Sequence, residues 1–349
     1  MKRKKLLSIA VAVVLALSLL SGCGGSGSGG GGGGGGSAGS DDPIKIRIGH
    51  TDTSSRSTHT WAVWLGEYLE EKAPGKFLVE VYPDGQLGDT PDLVAGVKLG
   101  TLTMCFDLSS VLSTAIGPKA SVIDMPFLYP TYEDWIKGMF ENGGLELFNE
   151  AAMEAGYYCV DLYYNGIRQV ISSSKNYRNS DDLKGQKVRI PQNDLNIAMW
   201  QAMGANPTPM AWGEVITSLQ LGQIDALDHS LGVFNDFNLH EISPFLTLTN
   251  HASSPFPVFV ALDWIESLPA DLRAVFEEGV RLMCKQQRAE ERGLEVGYIE
   301  RFKAEGATVV ELTPEEVAAF IESVQPVYDT WRDIVGSDWL DAWLLTVPK

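Results

Sequence analysis

The side chain best suited to chemistry by type and position is Arg189, in the segment Lys187-Val188-Arg189-Ile190-Pro191. Alternation along a strand puts Val188 and Ile190 on one face and Arg189 on the other, just before the proline ends the element. A planar guanidinium offers parallel N–H donors that match a carboxylate bidentately, whereas a lysine presents only a point charge. By residue type alone, however, an arginine is more often a surface ion-pair residue. The adjacent Asp228 and His229 could join a serine in a hydrolytic triad, but partners in space cannot be read from spacing in one sequence. No GxGxxG opening a helix, P-loop, HExxH or GxSxG occurs, and His240-Glu241 lacks the second histidine of a zinc site. Outside Cys23 there are only Cys105, Cys159 and Cys284, an odd number without CxxC spacing, so small buried apolar roles are expected for them. The expectation is a protein that is not an enzyme and needs no metal or cofactor.

The elements that would position such residues follow from periodicity. Ile44 to Ile48 alternates as a strand does, and Trp61, Trp64, Leu65, Tyr68 and Leu69 recur at helical spacing within Thr58 to Lys72. Phe77 to Tyr82 reads as a second strand stopped by Pro83-Asp84-Gly85. Asp92 to Leu99 reads as a helix and Leu102 to Leu108 as a third strand. Strand, helix, strand, helix, strand predicts a parallel sheet with crossover helices. Ligands of such sheets sit beyond the carboxyl ends of the strands, which here means the loops around Thr51 and Asp107. A second set is expected from Tyr157 to Tyr164 and Lys187 to Ile190 as strands, and from Asp194 to Met203 and Trp212 to Leu221 as helices. Leu268 to Lys303 can form one extended helix, and Thr313 to Trp331 looks helical as well. There is no internal repeat.

The ends and the charge bound the setting. Lys2, Arg3, Lys4 and Lys5 precede the apolar run Leu6 to Leu20, the layout of a secretory signal peptide over residues 1–22. Leu20-Ser21-Gly22-Cys23 resembles the lipobox of bacterial lipoproteins, which implies cleavage before Cys23 and its lipidation. An uncleaved anchor helix is the alternative, and both export the chain. Residues 23–41 then form a lipidated cysteine and a Gly/Ser-rich tether, a flexible coil with a root-mean-square reach of about 20 to 25 Å. The body, 42–349, suits two lobes or one large α/β unit. The formal net charge of -18 becomes -22 once the four leader cations are removed. That balance argues against nucleic acid and anionic lipid as partners, but not against a small anion facing a local pair of arginines.

The stretch from Tyr164 to His229 resembles the solute-binding subunits of tripartite ATP-independent periplasmic (TRAP) transporters, the DctP family. The likeness is carried by Asn165-Gly166-Ile167-Arg168, by Asp182-Leu183-Lys184-Gly185-Gln186-Lys187-Val188-Arg189-Ile190-Pro191, and by Gly204-Ala205-Asn206-Pro207-Thr208-Pro209-Met210-Ala211-Trp212-Gly213-Glu214-Val215. Tyr82-Pro83-Asp84-Gly85-Gln86-Leu87-Gly88 extends it toward the N-terminus.

The resemblance implies an α/β, two-lobed periplasmic-binding-protein-like fold with a hinge and a long interlobe helix. Lobe 1 would combine about 42–164 with 254–293, and lobe 2 about 165–253 with 294–349. It implies that Arg189 binds the carboxylate of a small organic acid and that Arg168 is either a second ligand contact or a structural ion-pair residue. Trp212 would lay its ring against the ligand, unless it packs in the core. Asp107 and the loop from Thr51 to Ser54 would contribute from the other lobe, with helix caps or turns as their alternative roles. Where the family commonly reads Gly-Val-Val-Asp-Gly-Gln-Glu-Asn, this chain has Gly222-Gln223-Ile224-Asp225-Ala226-Leu227-Asp228-His229. His229 thus replaces a ligand-facing asparagine beside Asp228. With an ordinary pKa of about 6.5 it could change charge near neutrality. The implied partners are a carboxylate solute, integral membrane subunits and, through lipid, the membrane. The implied place is extracytoplasmic. A binding protein of an ATP-driven (ABC) transporter is the runner-up, and a hydrolase a distant third.

Overall fold

A computed structural model describes residues 42–349, so the signal-peptide, Cys23 and tether expectations lie outside the described residues. Two sheets organise the chain. The first has the order β2-β1-β3-β10-β4, built from β1 (Ile44–Gly49), β2 (Phe77–Tyr82), β3 (Met104–Phe106), β4 (Tyr157–Tyr163) and β10 (Phe256–Ala261). β1 runs parallel to β2 and β3, as the strand-helix-strand pattern requires. β10 arrives from far along the chain and lies antiparallel between β3 and β4.

The helix Ser57–Lys72 buries Ala62, Leu65, Tyr68 and Leu69 at three- and four-residue spacing and packs on β2 and on the long helix Ala270–Ala304. Gly279 makes that helix pair possible, because a Cβ there would lie 2.8 Å from Tyr68 and 2.9 Å from Leu65. Leu65 is fully buried, so Leu65→Ala would cost about 2–5 kcal/mol.

The second sheet has the order β11-β9-β5-β8-β6-β7, from β5 (Gln169–Ser172), β6 (Lys187–Ile190), β7 (Asn206–Pro209), β8 (Ala226–His229), β9 (Phe245–Leu248) and β11 (Thr308–Glu311). β6 lies parallel between β7 and β8, which puts Arg189 and His229 in the same sheet. Two strand connections and one helix cross between the sheets. The connections from β4 to β5 and from β9 to β10 are themselves paired, with an Ile167–Ser253 bridge and Arg168 N–H donating to Ala252 O at 2.8 Å. The long helix leaves β4 and ends against the helix Leu231–Asp236 and β11. No helix among the described residues is long and apolar enough to cross a membrane.

Thr313 to Trp331 is helical as expected, in two helices, Pro314–Ser323 and Gln325–Val335, that break at Val324, where Pro326 has no N–H for a continuous ladder. The C-terminal residues, grouped with lobe 2 within 294–349, also fasten onto lobe 1. Tyr328 donates to Pro126 O (2.7 Å), Trp331 to Ser121 Oγ (2.7 Å) and Trp339 to Lys119 O (3.0 Å). Leu340 and Trp343 share a core with Trp135 and Phe148. The helix Gln325–Val335 packs on the second lobe's helix Asp194–Ala202 as well, and Arg178 pairs with Glu316 at 2.7 Å, so the terminal helices bury their apolar faces against both lobes. Cys105, Cys159 and Cys284 are buried free thiols.

Candidate functional site

A cavity of about 280 Å³ opens where the carboxyl ends of the parallel strands of both sheets meet. That is small for a ligand pocket. The first lobe supplies loops. Thr51, Asp52 and Thr53 follow β1, and Asp84 and Gly85 follow β2 in a turn whose residues both take positive φ (56° and 65°). Asp89, Thr90 and Pro91 open the helix Thr90–Leu99, fixed by a capping box between Asp89 and Asp92. Asp107 and Leu108 follow β3. The second lobe supplies Arg189 from β6, Met210 and Trp212 after β7, and His229 from the end of β8. Val233, Phe237 and Phe256 complete an apolar side.

Arg189 is only 3% exposed, yet among the described residues no carboxylate pairs with it. Its Nε and Nη2 donate to the carbonyl oxygen of Met210 at 3.1 and 2.7 Å, which fixes the plane of the fork and leaves Nη1 without a partner among the described residues. The guanidinium carbon lies 5.5 Å from the centre of the Trp212 ring. Burial, and then the nearby charge of Arg168, pull the guanidinium down to about 9, so it remains cationic at neutral pH. A buried cation without a counter-ion is costly. The arrangement is suited to receive an anion.

Trp212 is the first residue of the helix Trp212–Gln220 and is half-buried, 5.2 Å from the rings of both His229 and Phe237. Ser230 N–H donates to His229 Nδ1 at 2.9 Å, which makes Nε2 the protonated nitrogen and a donor. Burial, reinforced by Arg168 and Arg189, holds the imidazole well below its ordinary pKa. His229 is therefore a neutral directional group, not the near-neutral titrating group its residue type suggests. On the facing wall Asp107 accepts from Thr51 Oγ1 and from Leu108 N–H, each at 2.7 Å. Burial pushes its carboxyl up to about 6, although those hydrogen bonds oppose the shift.

Arg168 and Asp228 lie behind this surface and do not line the cavity. Arg168 is fully engaged: Nε meets Asp228 Oδ2 at 2.6 Å, Nη2 meets Asp228 O at 2.7 Å and Nη1 meets Ser254 Oγ at 3.1 Å. His251 Nε2 adds a contact to Asp228 Oδ2 at 3.0 Å. Burial works against ionisation of Asp228, but Arg168 and His251 outweigh it and hold the carboxylate well below the usual range. Ser54 is exposed and outside the cavity lining. Of the eight expected contacts, Arg189, His229, Trp212, Asp107 and Thr51 come together, while Arg168, Asp228 and Ser54 stand apart from the cavity surface.

The site also contains residues that spacing did not single out. His251 lies 23 positions from Asp228, and no local pattern marks the pair. Phe237 reads as an ordinary helix-end hydrophobe, and Gln192 simply follows the strand-ending Pro191. Arg56, 4% exposed, reaches Asp52 at 3.1 Å, Asp236 at 2.9 Å, Asn165 at 2.9 Å and Glu291 at 3.7 Å. It ties the loop after β1 to the crossing segment, the second lobe and the long helix. Among the described residues no cluster of three or more His, Cys, Asp and Glu could hold a metal.

The model of the DctP family, bacterial extracellular solute-binding protein family 7, matches residues 48–333. The chain is 32% identical over 216 residues to the 2,3-diketo-L-gulonate-binding periplasmic protein of Escherichia coli, covering 62% of this chain and 65% of that protein. It is 26% identical over 307 residues to the C4-dicarboxylate-binding periplasmic protein DctP of Vibrio cholerae, covering 88% and 92%. In fold it is similar to the sugar acid binding protein of Advenella mimigardefordensis solved with galactonate, with a TM-score of 0.81, 23% identity and coverage of 87% and 98%. A two-lobed α/β architecture with a long helix is common ground with the structural neighbour. The chain belongs to the DctP family, the solute-binding proteins of TRAP transporters.

Proposed function

We propose that this protein captures a small organic acid in the interlobe cavity, with Arg189 gripping the carboxylate, and delivers it to the integral membrane subunits of a TRAP transporter. The observation that carries this reading is the buried Arg189 guanidinium, oriented by Met210 and Trp212 and lacking any carboxylate of its own. Trp212 would pack against the ligand, His229 would donate from Nε2, and Thr51 and Asp107 would meet it from the other lobe. Arg168 and Asp228 act as positioning residues: their mutual pair fixes β8 and keeps a second positive charge near Arg189. Cys23, lipidated after removal of residues 1–22, would hold the body at the outer face of the cytoplasmic membrane through the 23–41 tether. More than one acyl chain makes such an anchor durable.

A ligand at a hundred times its dissociation constant stabilises the protein that binds it by about 2.7 kcal/mol. Thermal melts with a panel of organic acids are expected to show upward shifts for some carboxylates and none for the corresponding amides. Equal shifts from uncharged sugars would overturn the reading.

A further inference from the structure

The two walls of the cavity carry opposite charge, and this restricts what the far end of a ligand can be. On the second-lobe wall Arg189 is the one cation, with His229 neutral beside it. On the first-lobe wall stand Asp52, Asp84, Asp89 and Asp107. Three of these four are accounted for. Asp52 is neutralised by Arg56 at 3.1 Å, Asp89 caps the helix Thr90–Leu99, and Asp84 is exposed to water. Asp107 differs. It is 4% exposed and its partners are neutral groups, the Thr51 hydroxyl, the Leu108 amide and the Thr90 hydroxyl, with no ion pair among the described residues. Three donors leave its two oxygens with acceptor capacity to offer, and an ionised carboxylate can only accept.

We infer that the site selects a monocarboxylate whose far end donates a hydrogen bond, and rejects dicarboxylates, with Asp107 as the specificity-determining carboxylate. This rests on the reading that Arg189 holds the ligand's carboxylate. A second carboxylate at the far end would meet Asp107 in a desolvated cavity, two like charges with no cation between them. A hydroxyl or an ammonium would instead complete the acceptor set of Asp107. Rejection of this kind works by repulsion and leaves Arg189's grip on the first carboxylate unchanged.

The test is calorimetry on the full chain with unbranched acids of four, five and six carbons, each bearing a terminal hydroxyl, ammonium or second carboxylate, and with the amides of the hydroxy acids. The hydroxy or amino acid is expected to bind at least tenfold tighter than the diacid of equal length, and the better of the two identifies the donor as hydroxyl or ammonium. In Asp107→Asn, which keeps an acceptor for Leu108, that preference is expected to shrink to less than threefold. A diacid that binds as tightly as its partners in the wild type overturns this inference alone. Should the amides bind as tightly as the acids, or no carboxylate bind at all, the Arg189 reading falls with it. The wild-type preference is measured independently of whether the variant folds.

Discussion

Arg56 and Arg189 are both buried within the same interlobe region, yet their surroundings are opposite. Arg56 is encircled by Asp52, Asp236 and Glu291 with Asn165 completing the fork, and those carboxylates raise its pKa against the cost of burial. Arg189 has a carbonyl, an aromatic face and a second arginine nearby, and its pKa falls. A buried charge that the protein has neutralised is part of the scaffold. One that it has oriented but left without a counter-ion is a place for something else to bind.

The comparison is sharpest in stability. Arg56→Ala leaves the buried Glu291 without its counter-ion and takes the shared partner from Asp52 and Asp236, and is expected to cost about 3–5 kcal/mol in urea unfolding of the ligand-free protein. A loss below about 1 kcal/mol would place Arg56 with the surface pairs that contribute little. Arg189→Lys should do the reverse: folding stays near wild type, while affinity for the best carboxylate falls at least about a hundredfold, or ~2.7 kcal/mol. Less than a fivefold loss by calorimetry would remove Arg189 from the site.

A smaller effect separates the walls by pH. Asp107's folded pKa of about 6 lies above the ordinary carboxylate value, so the folded state binds the extra proton and stability falls as pH rises from about 4 to 6. Asp107→Asn removes that slope, a difference of about 2 to 3 kcal/mol accumulated across the window. Asp124, also raised by burial, contributes equally to both proteins. Parallel stability curves for the two proteins would show that Asp107 is not held as described. The smallest change is expected from His229→Asn, which exchanges one neutral donor for another. Affinity should move less than tenfold, and its pH dependence between about 6 and 8 should be unchanged. A steeper slope in the wild type alone would mean that the bound anion returns His229 to its ordinary range.

What the sequence disclosed follows from the range of its signals. Arg189's strand, its face and the loops at Thr51 and Asp107 were legible, because alternation and the strand-end rule act over a few residues. The Arg168–Asp228 pair spans 60 positions and the Arg56–Asp236 pair 180, distances at which no periodicity operates. Resemblance brought Arg168 and Asp228 to notice, but it could not show that they satisfy one another and leave the cavity surface to Arg189 and His229. The attachment of the C-terminal helices to residues 118–142 escaped notice for the same reason: amphipathic spacing predicts a buried face without naming what buries it.

The position of β10 also governs the order in which the molecule can be assembled. β1, β2 and β3 are complete by residue 106 and β4 by residue 163, yet β3 and β4 do not touch until β10, residues 256–261, is laid between them. The whole second sheet except β11 is encoded in the interval. A chain emerging from its N-terminus therefore cannot close the first sheet while residues up to 164 are all that has appeared. It carries two unpaired strand edges until some hundred further residues have emerged, a stretch in which those edges are open to mispairing. Neither lobe is a separable folding unit, and truncation before Ala261 is expected to yield an aggregating fragment, not a smaller folded domain.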